Sequence, residues 1–364
     1  MTTMAVYALD RFAASEALAG FASSAYVFGA LASRFAATAL IARFGTRPVY
    51  LVGAAAATLA CGLYFAVDSL WFLIAVRAVH GMTFGLAHSA LGAMSQTRIP
   101  ASRRGEGNGY FAMSSTVGTA IGPVLAVALT VDGGYMPLFI AATVISLISL
   151  AAGAAIRPLP ADLAQSRTGG ARPAWIARPA VPIGLVAFLQ SLGYAALAAF
   201  LAEYTTELNE PAAAGWFFLV YAGCVLVVRA FAGPLYDRYG ADVVFYPGLA
   251  LYAIGFIVLA TSPTITGVMI AAAAIGFGYG TLLPAGITIA AERIDPEMPG
   301  GAFTTYYVFV DLGYGLGPIL LGFALGLWGW TGLFYAGLAT VIAASAVYTL
   351  VRRPPRLQTQ LSDR

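Results

Sequence analysis

The stretch Arg34-Phe-Ala-Ala37-Thr-Ala-Leu40-Ile-Ala42-Arg43-Phe44-Gly45 recurs as Arg229-Ala-Phe-Ala232-Gly-Pro-Leu235-Tyr-Asp237-Arg238-Tyr239-Gly240. The shared frame is Arg-x-x-Ala-x-x-Leu-x-x-Arg-aromatic-Gly, and the copies lie 195 residues apart. The same offset pairs Gly53 with Gly248, Gly81 with Gly276, Gly85 with Gly280, Arg98 with Arg293 and Arg157 with Arg352. It also pairs Gly118-Thr-Ala-Ile-Gly122-Pro123 with Gly313-Tyr-Gly-Leu-Gly317-Pro318. Chance does not hold one ungapped offset over half a chain, so the sequence contains two homologous halves.

Of the 364 residues, 60% are hydrophobic and 10% charged, with a mean hydropathy of +0.82. A soluble domain of this length needs a far more polar surface. Eleven apolar spans lie near 19–42, 47–67, 70–97, 106–131, 134–156, 181–204, 212–236, 243–262, 264–291, 300–326 and 331–351. Each approaches or exceeds the roughly 20 residues that cross a bilayer as a helix. The fold expected is an all-α integral membrane protein with two pseudo-symmetric helical bundles. Duplicated halves in a membrane chain mark a secondary transporter, with its substrate site between the repeats.

Arginine sets the orientation. Of 19 arginines, 15 fall in one set of loops or at the C-terminus, whereas the opposite loops hold Arg11 alone beside Asp10, Glu16, Asp68, Asp132, Glu207 and Glu210. The positive-inside rule makes the first set cytoplasmic and the C-terminus with it. A pI near 8.8 then reflects topology, and basic residues spread over short loops give no nucleic-acid footprint. The location implied is a bacterial inner membrane, crossed many times. The two cysteines, Cys61 and Cys224, sit in different apolar spans and suggest no disulfide framework. Residues 1–9 are too short for a cleavable signal. Gly105-Glu-Gly107-Asn-Gly109 and Gly276-Phe-Gly278-Tyr-Gly280 lack the Lys-Ser/Thr of a phosphate loop. Neither zinc-ligand spacing nor a hydrolase triad is present, so no enzyme activity, cofactor or metal is expected.

The longest polar stretch, 157–180, separates the repeats and reads as a cytoplasmic linker. The domains expected are an N-terminal bundle over 1–156, the linker, a C-terminal bundle over 181–352 and a cytoplasmic tail over 353–364. The offset places the counterpart of span 181–204 at −14 to 9, so only the last third of that helix falls within the chain. A start assigned too far downstream is the expectation, with a true truncation as the alternative.

Over essentially its whole length the chain resembles the major facilitator superfamily, in its efflux-type branch. Gly233-Pro-Leu-Tyr-Asp237-Arg238-Tyr-Gly240 is similar to that family's loop motif G-x-L-x-D-R-x-G. The resemblance implies a latch on the closed cytoplasmic gate: the turn forms at Gly240, and the acid meets a neighbouring helix N-terminus. The first copy keeps Arg43 and Gly45 but has Thr38 and Ala42 in place of the glycine and aspartate, which implies a weaker latch. Arg77-Ala-Val-His80-Gly81 resembles the R-x-x-q-G motif of the fourth span. An intramembrane arginine is costly enough that it must face protein or a wet cavity, and Arg77 is expected to point into the central cavity. Gly118–Pro123 resembles the core of the antiporter-associated G-x-x-x-G-P motif, without its further Gly-Gly pair. Glycines four apart allow close helix packing and proline kinks the helix.

Several single residues join the candidate substrate or proton path. Asp311 is the one acid deep in an apolar run and must be paired or protonated. Proton carrier and ion-pair strut are both open readings. His80 and His88 share a helix face with Arg77, which suits a relay or plain packing. Arg34 lies at a depth matching Asp311 and is expected to pair with it, with Arg229 as the competing partner. The aromatics Tyr110, Phe111, Tyr306 and Tyr307 suggest tolerance of ring-bearing solutes.

The function expected is proton-coupled export of a small organic solute by alternating access, by a monomer in the lipid bilayer. The alternatives are a sugar or metabolite symporter or facilitator and, from another class, a non-transporting sensor or degenerate transporter.

Overall fold

The computed structural model describes residues 2–130, 134–157, 176–294 and 299–352. Asp132, most of the linker 157–180 and the tail 353–364 lie outside the described residues. Every regular element among the described residues is helical: α1 (Thr2–Phe12), α2 (Glu16–Phe44), α3 (Thr46–Leu63), α4 (Leu70–Arg98), α5 (Arg104–Ala128), α6 (Met136–Ala155), α7 (Val181–Glu207), α8 (Ala213–Tyr239), α9 (Asp242–Thr261), α10 (Ile265–Glu292) and α11 (Pro299–Val351). Short 3₁₀ turns join some of them. The spans 300–326 and 331–351 form one element, broken at Gly329 with φ 64°. Among the described residues, nine helices, counting α11 once, are long and apolar enough to cross a membrane.

The 195-residue offset of the sequence reappears in the helices. α2 ends at Phe44 and α8 at Tyr239, while α4 begins at Leu70 and α10 at Ile265. The offset carries α1 onto the last turns of α7, through Glu207. Local chemistry repeats as well. Ser69 caps α4 through the Phe72 amide at 3.4 Å, and Thr264 caps α10 through the Gly267 amide at 3.1 Å. Both hydroxyls satisfy amides that a helix start leaves unpaired. Gly45 and Gly240 close α2 and α8 with φ of 84° and 88°, a region that glycine enters without a Cβ penalty. Their amides donate to Ile41 and Tyr236 carbonyls at 2.8 Å.

Two compact units result, one of residues 1–100, 114–176 and 296–304, the other of 101–113, 177–295 and 305–364. Helix α5 therefore contributes its first ten residues to the second unit and the rest to the first. In the first unit α4 packs on α2 and α3, and in the second α10 packs on α8 and α9. Small residues make this possible. A Cβ on Gly81 would strike the Tyr26 carbonyl, and one on Gly276 would meet the Tyr221 carbonyl at 2.8 Å. These two contacts are the same contact in each repeat.

Candidate transport-site residues

The turn after α8 holds the clearest polar arrangement. Asp237 Oδ1 accepts from the Gly105 amide at 2.7 Å and Oδ2 from the Glu106 amide at 2.9 Å. Both amides are in the first turn of α5, where helix geometry leaves donors unpaired and the macrodipole favours an anion. Glycines on both sides permit the approach. A Cβ on Gly233 would lie 2.6 Å from Glu106 Cα, and one on Gly105 2.8 Å from the Gly233 carbonyl oxygen. Arg103 and Glu106 pair at 2.6 Å beside them. Arg238 lies over the Tyr239 ring at 5.1 Å, and Arg43 over Phe44 at 5.2 Å. Ala42, at the position matching Asp237, has no group able to cap a helix.

Among the described residues, three arginines are buried within helices: Arg34, Arg77 and Arg229, at 3%, 6% and 8% exposure. Arg77 donates from Nε to the Ala22 carbonyl at 3.1 Å and from Nη2 to the Ser23 carbonyl at 2.7 Å, with the Tyr26 ring centroid 5.1 Å away. Carbonyls have a second lone pair, so α2 can bind this guanidinium while keeping its own ladder. The structure thus sets Arg77 across α2 and α4 of one unit. Arg34 reaches His88 Nδ1 at 3.4 Å and Ser89 Oγ at 3.5 Å. Its repeat partner Arg229 donates to the Gly280 carbonyl at 3.2 Å and to the Ala112 carbonyl. In these contacts the two equivalent positions meet different kinds of group, side chains for Arg34 and carbonyls for Arg229.

The two histidines have different neighbours. His80 Nδ1 is 3.2 Å from Tyr64 Oη, and Nε2 is 3.5 Å from Cys61 Sγ. His88 stacks on Phe84 with centroids 5.6 Å apart. Asp311 is half-buried on α11, in the other compact unit from Arg34. Tyr306 is buried and fills the notch left by Gly286, whereas Tyr110 is exposed. At the basic helix ends, Arg98 donates to the Arg157 carbonyl at 3.0 Å and Arg293 to the Val351 carbonyl. Burial lowers the Arg293 guanidinium from its ordinary value, and it stays charged.

The two G-x-x-x-G-P copies differ. A Cβ on Gly313 would lie 2.6 Å from the Phe188 carbonyl oxygen, and one on Gly317 2.5 Å from that of Leu192, so α11 sits directly on α7. A Cβ on Gly118 or Gly122 would meet nothing within 4 Å. The close packing expected of both copies is observed in the second alone. The Pro123 side chain lies outside the described residues, and Pro318 lies within α11. Gly313→Ala should therefore destabilise the protein by ~1–3 kcal/mol through overpacking. Gly118→Ala should be neutral or stabilising, since alanine is the better helix former by about 1 kcal/mol. Thermal unfolding in detergent separates the two, and equal melting temperatures would remove the packing account.

One cluster was not visible as such in the sequence. Tyr194 of α7 stacks on Tyr279 of α10 at 4.6 Å and lies 5.3 Å from the Tyr221 ring of α8. Tyr279 Oη lies 3.2 Å from Ser191 Oγ and donates to Tyr314 Oη of α11 at 3.2 Å. Four helices supply these rings at unrelated spacings, so no local pattern announces them.

Apolar helices in duplicated order, with arginines held inside them and a carboxylate capping a helix start, mark a helical membrane protein built from a repeat. The family model of the Major Facilitator Superfamily matches residues 1–181 and 183–364, and the chain belongs to that family. An uncharacterised MFS-type transporter of Salmonella typhimurium is 27% identical over 244 residues, 64% of this chain and 59% of its own length. One of Burkholderia mallei is 26% identical over 311 residues, 84% of this chain and 75% of its own length. The chain thus spans under two thirds of the first relative. Among solved structures, the proton:xylose symporter XylE aligns with a TM-score of 0.78 at 14% identity, covering 96% of this chain and 90% of that one. The human organic anion transporter MFSD10 aligns with a TM-score of 0.75 at 16% identity, covering 90% and 82%. At these identities the likeness shows the fold.

Proposed function

We propose that this transporter exports a small organic solute from a bacterial cell in exchange for protons, as a monomer cycling by alternating access. The carrying observation is the pair of bonds from Asp237 to the Gly105 and Glu106 amides. They join the turn of the second repeat to a helix of the first without covalent linkage. Such a contact can be made and broken during a cycle. It lies among the arginine-rich loops, on the side that the positive-inside rule makes cytoplasmic together with the C-terminus. Asp311 is the proposed proton carrier, since a carboxyl within an apolar helix can exchange one charge for none. Arg34, Arg77, Arg229, His80 and His88 supply the polar surroundings of the path. Gly118–Pro123 and its second copy favour exchange over co-transport. Proton co-transport of a sugar or metabolite is the second reading, favoured by the likeness in fold to a fucose:proton symporter and a proton:xylose symporter.

The test is reconstitution in liposomes holding a pH-sensitive dye, with a panel of drugs and sugars applied down their gradients. Export predicts that solute and protons move in opposite directions; movement in the same direction selects the symporter. Asp311→Asn should abolish the solute-driven proton signal while solute binding persists. A full proton signal from Asp311→Asn would remove this residue from the coupling.

A further inference from the structure

A second site lies at the end of the second unit away from Gly240. There the end of α7, the end of α9 and the segment after the α11 break line a half-open cavity of about 240 Å³. Its wall includes Tyr204, Glu207, Trp330 and Phe334, with Leu259 and Pro263. The Tyr204 ring centroid is 5.3 Å from that of Trp330 and 4.9 Å from that of Phe334. Tyr204 and Phe334 are buried, so two of the rings belong to the folded core. Trp330 Nε1 donates to Glu207 Oε2 at 2.5 Å. That bond holds the carboxylate at the cavity wall and occupies one of its two oxygens, each of which can accept more than one bond.

Charge selects the occupant. The chain over 199–216, 259–267 and 325–336 holds Glu203, Glu207 and Glu210 and not one lysine or arginine. Aromatic rings beside an acid, without a basic residue, favour a cation with apolar substituents. Ring quadrupoles attract it, and the carboxylate supplies the opposing charge. An anion has no basic group to meet here, and a neutral sugar would leave the charge of the carboxylate unmatched. We infer that this cavity binds an alkylammonium group, either on a free organic cation or on a phospholipid headgroup. The site is separate from the proposed path and is measured without transport.

The probe is tetramethylammonium chloride, titrated calorimetrically into the full-length protein in detergent against sodium chloride. Saturable binding is expected. Glu207→Gln and Trp330→Leu should each weaken it by about tenfold or more. Trp330→Phe keeps a ring but loses the Nε1 donor that holds Glu207, so its affinity should fall between those of wild type and Trp330→Leu, and Glu203→Gln, outside the cavity wall, should leave binding unchanged. Uncharged tert-butanol, of similar shape, should not compete. Liposomes of phosphatidylglycerol with or without phosphatidylcholine separate the sources. Loss of tetramethylammonium binding when phosphatidylcholine is present assigns the site to the headgroup; unchanged binding assigns it to a free cation. Absence of saturable binding overturns the inference. So does wild-type affinity in both Glu207→Gln and Trp330→Leu, or equal binding of tert-butanol, because the rings then act as interfacial anchors.

Discussion

Asp237→Asn is expected to raise hydrogen exchange at the Gly105 and Glu106 amides by about tenfold or more, and to lower transport by a similar order. A hydrogen bond to a charged group contributes roughly 1.5–3 kcal/mol, and Asp237 makes two. Asparagine keeps one acceptor, loses the charge that the α5 dipole favours, and turns a donor toward amides that are donors themselves. Asp237 is partly exposed, so solvent screening places the effect toward the lower end. Opening of a helix start is reported by exchange at those amides, which makes the measurement independent of the solute. Ala42→Asn, at the matching turn of the first repeat, should change neither quantity. Unaltered exchange and flux in Asp237→Asn would eliminate the latch.

Gly81→Ala should be among the most damaging single-methyl substitutions in the chain. The added carbon would be driven into the carbonyl of Tyr26 on α2. A backbone atom in a packed helix cannot swing away as a side chain can, so α2 and α4 must separate. That movement also disturbs the Arg77 bonds to Ala22 and Ser23. Overpacking costs ~1–3 kcal/mol where neighbours can adjust, and here the cost should reach at least the upper part of that range. Gly276→Ala should be milder, because its obstacles, the Tyr221 carbonyl and Cys224 Cβ, lie 2.8 Å away. Thermal unfolding of detergent-solubilised protein should rank wild type above Gly276→Ala and Gly276→Ala above Gly81→Ala. A Gly81→Ala protein that melts with wild type would show that the helices are not in contact at this point.

The membrane class, the duplication and the turns at Gly45 and Gly240 were legible in the residues alone. Length and apolarity define a bilayer-crossing helix without reference to a partner. Gly45 and Gly240 mark turns through φ, which is a property of the residue itself. The contact of Asp237 with a helix start was implied by the family motif, and the helix dipole gives its physical reason. The direction of each buried arginine was not legible. Arg34 and Arg229 occupy equivalent positions, yet one meets His88 and Ser89 and the other meets carbonyls of Gly280 and Ala112. Likewise Gly313 and Gly118 read alike but only Gly313 is pressed against another helix. The Tyr194–Tyr279–Tyr314 cluster and the Glu207–Trp330 cavity draw on three or four helices each. Sequence by itself determined what each segment is: its helicity, its length, its ends and its ancestry in a repeat, since these follow from local chemistry and periodicity. Tertiary structure alone decided what each polar side chain touches, because a buried charge takes whichever carbonyl, hydroxyl or ring the neighbouring helices bring within reach.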